Sequence, residues 1–176
     1  MRAALLTTVL AGVALVGAGA GRAESAVGVG PGQIARAVRS AEQSRSLWAT
    51  VNICDSHRYH NDIGVRGQMP TLGFSSALYM VVQVNYWAKG QHRFLPIQST
   101  LATTRLSLGS SVNGLEQDGA VFPFSAHTGV LNATFTFIWT RGGRVIGQTV
   151  RRTTAGHNDA DHGSPPHYTA AHCRIK

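Results

Sequence analysis

The sequence predicts an all-β protein, an antiparallel β-sandwich of about seven or eight strands that is immunoglobulin-like in architecture. The first observation is a series of short runs, rich in β-branched and aromatic residues, in which apolar and polar positions alternate. The second is that turn-forming Gly, Asn, Asp and Pro residues separate these runs. The third is that only one stretch, near the start of the chain, has even a weak helical pattern. Together these observations favour an antiparallel sandwich over a barrel.

The first half of the chain supplies five of the predicted strands. They are residues 47–54, 63–69, 77–88, 94–97 and 103–108. Residues 47–54 alternate regularly, so their two sets of side chains lie on opposite faces of a sheet. Residues 77–88 are the longest run and are apolar on both faces at their start, which is typical of a central strand.

The second half supplies the remaining runs, which are residues 121–124, 130–141, 144–154 and 168–175. Residues 130–141 have the cleanest alternation, with one apolar face formed by Leu131, Ala133, Phe135, Phe137 and Trp139. Gly142 and Gly143 form a two-residue turn that allows positive φ, so we predict a hairpin there. Pro123 limits its short run to an edge position. Residues 155–167 are polar and are predicted to form a loop.

The first 23 residues have the layout of a secretory signal peptide. Arg2 gives a positive start, an apolar stretch follows, and small residues end it, with cleavage expected after Ala20 or, slightly favoured, Ala23. A membrane anchor is the alternative, since the stretch approaches the roughly 20 apolar residues of a span. Its high Gly and Ala content favours cleavage. We therefore expect a secreted protein, located outside the cell or at the cell envelope.

The rest of the chain is expected to divide into two parts. Residues 24–45 are predicted to be a flexible leader or linker, because they open with a Gly-rich stretch. Residues 34–45 have few apolar positions, so a short weak helix and disorder are both open. Residues 46–176 are predicted to be a single β-sandwich domain, and this length suffices for one hydrophobic core.

The chain contains two cysteines, Cys54 and Cys173. In an exported protein an even number of cysteines indicates pairing, and two allow one connectivity. The alternatives are two free buried thiols or a metal pair with nearby histidines, and the lack of a CxxC spacing argues against a tight thiolate metal site. A disulfide would tie the first strand to the last segment and close a long loop, which stabilises the fold by roughly 4 to 5 kcal/mol on the chain-entropy model.

Four segments carry a resemblance to a group of small secreted proteins of unassigned function from high-GC Gram-positive bacteria. They are LWATVNICD at 47–55, GVRGQMP at 64–70, TTAGH at 153–157 and YTAAHC at 168–173. The chain resembles that group over residues 46–175. The resemblance implies export, one domain and the Cys54–Cys173 pairing, and it carries no activity and no catalytic residue.

No catalytic motif is visible, so we do not expect an enzyme. The sequence has no GxSxG nucleophile elbow, no HExxH zinc motif and no glycine-rich phosphate loop. Its eight acidic residues show no spacing that indicates a carboxylate pair. The first hypothesis is therefore a binding or structural module at or outside the cell envelope.

The second hypothesis is a metal-binding protein that uses histidine-rich loops. A Cys54–Cys173 bridge would bring two loops together, and with them five histidines, His57, His60, His157, His162 and His172. Imidazole groups with neighbouring carboxylates suit zinc or copper. The spacing matches no known ligand set, so polar loop histidines without a metal are the alternative.

Charge and aromatic residues indicate the kind of partner. The formal charge is +8, and Arg141, Arg144, Arg151 and Arg152 cluster on the predicted hairpin, where they would attract an anionic surface or form a solvated face. Tyr86 and Trp87 are adjacent, so one of them faces outward, which favours a partner or glycan surface. Export makes a nucleic-acid partner unexpected. We expect a monomer that contacts an envelope component, an anionic surface or a glycan.

Overall fold

The computed structural model describes residues 28–124 and 129–176. The predicted signal peptide, residues 1–23, lies outside the described residues, as do residues 24–27 of the predicted leader. No helix in the described part is long and apolar enough to cross a membrane.

The described residues form one α-helix, nine strands and two short 3-10 turns. The elements are α1 Pro31–Glu42, β1 Trp48–Ser56, β2 Tyr59–Pro70, β3 Ser76–Ala88, β4 Arg93–Pro96, β5 Thr103–Ser111, β6 Leu115–Pro123, β7 Gly129–Arg141, β8 Arg144–Arg152 and β9 Cys173–Ile175, with the 3-10 turns at Lys89–Gln91 and Thr100–Ala102.

All strand pairs are antiparallel, and they form two sheets. The three-stranded sheet has the order β1-β2-β6. The six-stranded sheet is centred on β3 and β7. The strands β4 and β5 share one edge of β3, and β8 and β9 share the outer edge of β7. This arrangement confirms the predicted antiparallel β-sandwich and the central position of the longest strand.

The core lies between the two sheets. The largest fully buried side chains include Phe135, Phe137 and Trp139 of β7, which share one core cluster with Ile63 and Val65 of β2. These three aromatic residues were predicted to share the core face, and their period-two spacing places them there. The predicted turn at Gly142 and Gly143 is also present, with φ of 55° and 75°.

The predicted disulfide between Cys54 and Cys173 joins the two sheets. Cys54 lies in β1 of the three-stranded sheet, and Cys173 lies in β9 of the six-stranded sheet. The two sulfur atoms are 2.05 Å apart and the two Cα atoms 5.3 Å apart. The bridge connects residues 119 positions apart in the sequence, so it links the start of the sandwich to its end.

A long irregular segment, residues 153–172, runs along the free edge of β1 and folds over part of the outer face of the three-stranded sheet, where the Asp161 and Asp159 carbonyls accept hydrogen bonds from Asn52 and Gln117. We call it the covering segment. Its main chain bonds to β1, where Thr154 donates to Ala49 and Ala170 exchanges two hydrogen bonds with Val51. Side chains complete the contact, because the hydroxyl groups of Thr50 and Thr169 lie 2.7 Å apart. The strand β1 is therefore buried on both faces, although its sequence alternates.

Within the predicted leader at residues 24–45, residues 31–42 form α1, so of the two possibilities left open for residues 34–45 the structure shows the helix. Pro31 lies in the first turn, where a helix tolerates proline. Val38 and Ala41 are buried, and Val38 packs on Gly147 of β8, where a side chain would collide with it. The Arg151 guanidinium also donates to the Glu42 carbonyl. Packing on the sheet thus stabilises a helix whose own sequence pattern is weak.

Two other predicted boundaries differ from the structure. The short edge run at residues 121–124 belongs to β6, a nine-residue strand that Pro123 ends. Pro123 is tolerated because β6 pairs with β2 alone in the described part of the chain, so its other edge needs no amide donor. The predicted last strand at residues 168–175 is strand only from Cys173. Residues 168–172 belong to the covering segment instead.

Candidate functional site

The structure does not bring the five predicted metal ligands together. His57 is exposed in the turn between β1 and β2. His60 is mostly exposed, with its Nδ1 3.4 Å from Asp55 Oδ1. His157 stacks on Trp48, and His162 and His172 line cavities on different sheets. Among residues 28–124 and 129–176, no three His, Cys, Asp or Glu side chains are placed to hold a metal ion. The predicted convergence on zinc or copper is therefore not seen in the described structure.

Asp55 ties the first hairpin to the end of the chain. Its carboxylate accepts hydrogen bonds from the main-chain amides of Asn61, at 2.9 Å, and Lys176, at 3.1 Å. These amides, first that of Asn61 and then that of Lys176, lower the pKa of the Asp55 carboxyl group, and His60 adds to the effect. The bridge next to it, through Cys54, holds the same two segments. The Asp55 carboxylate thus has a structural role rather than one as a metal ligand.

His157 is a packing residue of the covering segment. Its ring lies 4.6 Å from the Trp48 ring, centroid to centroid, and the two planes are 13° apart. Its Nε2 lies 2.8 Å from the Thr154 hydroxyl group. Burial lowers the pKa of His157 from the ordinary value of 6.5, although the charge of Asp159 acts in the opposite direction. The folded protein therefore prefers the neutral imidazole at this position.

Acidification should destabilise the protein through His157. As pH falls below 6.5, the unfolded chain binds a proton at His157 before the folded chain does, so the free energy of unfolding decreases. The contribution is present above that pH and is lost towards the lower pKa of the folded state. We expect His157→Phe, which keeps a ring on Trp48, to flatten the dependence of the urea midpoint on pH. The exposed change His57→Phe is the matched control, and equal pH profiles in both variants would contradict the prediction.

The strongest candidate site is a cleft at one end of the six-stranded sheet. It has a volume of about 360 Å³ and is lined by Trp87, Lys89, Phe94, Val130, His172 and Arg174. We call it the Trp87 cleft. The Trp87 and Phe94 rings meet edge to face, with centroids 5.2 Å apart and planes at 65°. Trp87 is 37% exposed, so part of its indole ring faces solvent.

Strand register brings the cleft residues together from separate parts of the chain. Trp87 of β3 pairs with Phe94 of β4, and Val130 of β7 pairs with Arg174 of β9. His172 and Arg174 flank the disulfide-bonded Cys173, whose own side chain points into the core. The bridge therefore anchors the short strand that carries Arg174, and it lies directly after His172. Without the bridge, β9 would be attached to β7 through three pairs of residues, from Gly129–Ile175 to Leu131–Cys173.

The charge of the Trp87 cleft is uniformly basic. Lys89, His172 and Arg174 line it, and no carboxylate does so among the described residues. In that part of the chain, no Asp or Glu carboxylate lies within 4.0 Å of the charged groups of Lys89 or Arg174, since the one ion pair joins His60 to Asp55. The cleft thus combines an aromatic floor with unpaired positive charge, a combination suited to an anionic ligand with an apolar face.

A second cavity, at the other end of the same sheet, is a weaker candidate. It has a volume of about 400 Å³, and its lining includes Ser75, Ser110, Tyr79 and Arg141. The Arg141 guanidinium is already engaged, because it donates to the Val29 carbonyl at 3.2 Å and lies over the Phe74 ring. It therefore holds the segment before α1 in place.

The chain matches no protein-family model and no curated protein.

The sequence indicated one part of the Trp87 cleft and missed the rest. The adjacent pair Tyr86 and Trp87 predicted one outward-facing aromatic residue, and both are partly exposed, Tyr86 at 42%. Phe94, Lys89 and Arg174 were not singled out. The sequence did predict a short strand at residues 94–97 directly after the longest strand. A hairpin between these two strands would have placed Phe94 near Trp87. The predicted basic cluster of the hairpin does not act as one charged surface. Arg141 and Arg151 donate hydrogen bonds to main-chain carbonyls, whereas no such bond is seen for Arg144 and Arg152 among the described residues.

Proposed function

We propose that the protein is a secreted binding module that recognises an anionic glycan at or outside the cell envelope through the Trp87 cleft. The observation that carries the proposal is the exposed Trp87–Phe94 pair surrounded by Lys89, His172 and Arg174. The signal-peptide layout of residues 1–23 and the disulfide support a place outside the cytoplasm, since disulfides persist in oxidising compartments.

The chemistry of the cleft favours a sugar polymer that carries carboxylates or phosphates. The ring of a pyranose has an apolar face of C–H groups, which packs on an indole ring, and its edges carry the polar groups. Lys89 and Arg174 at the edges of the cleft would meet the negative charges of such a polymer. Repetition of the sugar unit would allow a weak contact to be used many times along one chain.

An anionic membrane is the main competitor for this surface. Membrane-binding proteins insert protruding aromatic and aliphatic side chains into the interface. Trp87 lies in a cleft and packs against Phe94. This recessed position favours a ligand that enters the cleft over a bilayer that stays flat.

Intrinsic fluorescence offers a direct test, because the three tryptophans differ in exposure. Trp48 is 5% exposed and Trp139 is fully buried, so Trp87 dominates any response to an added ligand. We expect polygalacturonate, an anionic glycan, to change the emission saturably at low salt. Neutral dextran should have little effect, and raised salt should weaken the response because exposed charges are screened within about 10 Å at 0.1 M.

Matched variants separate the cleft from general charge. Arg174→Gln should weaken binding several-fold, and Trp87→Phe should remove the fluorescence response while calorimetry still detects weakened binding. Arg152→Gln removes the same charge from an exposed position on β8 and should leave binding unchanged. Equal losses in Arg174→Gln and Arg152→Gln would contradict the proposal. Binding to anionic phospholipid vesicles with no response to polygalacturonate would also overturn it.

A further inference from the structure

The Trp87 cleft and the second cavity lie at opposite ends of one strand. Trp87 lines the first and Tyr79 lines the second, and both belong to β3. The two residues are eight positions apart. In an extended strand this separation spans about 26 Å and, because it is an even number of residues, puts both side chains on the same face. The alternate positions from Leu78 to Val84 are buried in the core, so this is the outer face of the six-stranded sheet.

An arginine on an aromatic ring marks the Tyr79 end of this face. The Arg105 guanidinium carbon lies 4.4 Å from the centroid of the Tyr79 ring. Arg105 of β5 pairs with Val81 of β3, which makes it a diagonal neighbour of Tyr79 on the outer face. Arg105 is exposed, and no Asp or Glu carboxylate of the described residues lies within 4.0 Å of its charged group. The Tyr79 end thus repeats the combination of the Trp87 cleft, an aromatic ring beside an unpaired positive charge.

Charge is segregated between the two sheets in the described part of the chain. No strand of the six-stranded sheet contains Asp or Glu there, and β4, β5, β7, β8 and β9 each contain arginine. The acidic residues of the described ranges lie on α1, the three-stranded sheet and the covering segment. Between Trp87 and Tyr79, the outer-face residues of β3 are Val81, Gln83 and Asn85, which are uncharged. An anionic chain that follows β3 therefore meets no carboxylate of this sheet.

We propose that the Trp87 cleft and the second cavity are two subsites for one linear anionic polysaccharide, which follows β3 across the outer face of the six-stranded sheet. The inference rests on the proposed function and narrows its ligand to a chain long enough to reach from Trp87 to Tyr79. One sugar ring packs on each aromatic side chain. Lys89 and Arg174 meet the negative charges of the chain at one end, and Arg105 meets them at the other.

Two subsites on one face make the affinity depend on the length of the ligand. Once a chain is bound in the Trp87 cleft, its contact with the Tyr79 end is intramolecular and takes place at a high effective concentration. Digalacturonate is too short to reach both ends. A long oligogalacturonate should consequently bind the wild type several-fold more tightly than digalacturonate does.

The test is a calorimetric titration of the oxidised protein with digalacturonate and with a long oligogalacturonate. Arg105→Gln should remove most of the gain from chain length and leave digalacturonate binding unchanged. Arg152→Gln is the matched control, because Arg152 pairs with Thr134 and so lies on the same face. It is on β8, two strands away from β3, which is a lateral distance of about 10 Å. This variant should keep the full gain.

A second measurement uses the wild-type protein alone. The main-chain amide resonances of Tyr79 and Arg105 should shift with the long oligogalacturonate, whereas digalacturonate should shift only those around Trp87. If the Tyr79 resonances do not move, or if Arg105→Gln keeps the gain from chain length, the second subsite is overturned while the Trp87 cleft stands. Equal losses in Arg105→Gln and Arg152→Gln would assign the gain to general charge and also overturn it. Absence of any response around Trp87 would overturn the proposed function together with this inference.

Discussion

Removal of the disulfide should lower the free energy of unfolding by about 4 to 5 kcal/mol, as the chain-entropy model gives for a loop of this length. The sulfur atoms join positions 119 residues apart, so the bridge restricts most of the unfolded chain. A domain of this size is stable by about 5 to 15 kcal/mol in total. The bridge therefore accounts for a large part of the stability, and its loss should bring the protein close to the unfolding threshold.

The measurement is equilibrium unfolding in urea, followed by circular dichroism, for the wild type and for Cys54→Ala/Cys173→Ala. If the double variant does not fold, the wild type with and without reductant gives the same comparison. Equal urea midpoints for the oxidised and reduced protein would contradict the prediction, and two alkylatable thiols in the untreated protein would show that the bridge is absent.

Loss of the bridge should also impair the Trp87 cleft. Strand β9 pairs with β7 through Gly129, Val130 and Leu131 alone, and it carries Arg174 next to Cys173. The reduced protein should consequently bind polygalacturonate more weakly even under conditions where circular dichroism shows that the sandwich is intact. This links the stabilising bond to the proposed function.

The core of the sandwich was predictable from the sequence because its pattern is local. Along β7, apolar side chains recur at every second position from Leu131 to Trp139, and this spacing dictates one buried face in any sheet. The positive-φ turn at Gly142 and Gly143 follows equally from two adjacent glycines. Each of these inferences needs fewer than fifteen consecutive residues.

The covering segment was not predictable, because its position depends on contacts without periodicity. Thr50 and Asn52 alternate with the apolar positions of β1, so the sequence indicates that they face solvent. Both are buried, since residues 153–172 fold back over them and supply partners such as the Asp161 carbonyl for Asn52. A polar loop that pairs with polar side chains leaves no hydrophobic pattern in either segment.

The sequence left the helix α1 undecided and indicated only part of the Trp87 cleft, for related reasons. Val38 is buried because Gly147, more than a hundred residues later, leaves room for it. Phe94 and Arg174 join Trp87 only once the register of three strand pairs is set. A single sequence shows which residues alternate, and it does not show which strands are neighbours.

The second large effect is expected at Trp139. The side chain is fully buried in the core, and its Nε1 donates to the Pro70 carbonyl at 2.9 Å. Removing a buried aromatic side chain costs about 3 to 5 kcal/mol, because apolar contacts are lost and a cavity remains. We expect Trp139→Ala to lower the free energy of unfolding by this amount. It should leave the variant folded only while the disulfide is intact.

Two comparison variants identify the cause of the loss at Trp139. Trp139→Phe keeps most of the apolar contact but removes the donor to the part-buried Pro70 carbonyl, for which we expect a smaller loss of about 1 to 3 kcal/mol. Trp87→Ala removes the same side chain from a partly exposed position and should cost less than Trp139→Ala. Urea unfolding followed by circular dichroism avoids dependence on tryptophan emission. If Trp139→Ala and Trp87→Ala shift the midpoint equally, the central position of Trp139 in the core would be wrong.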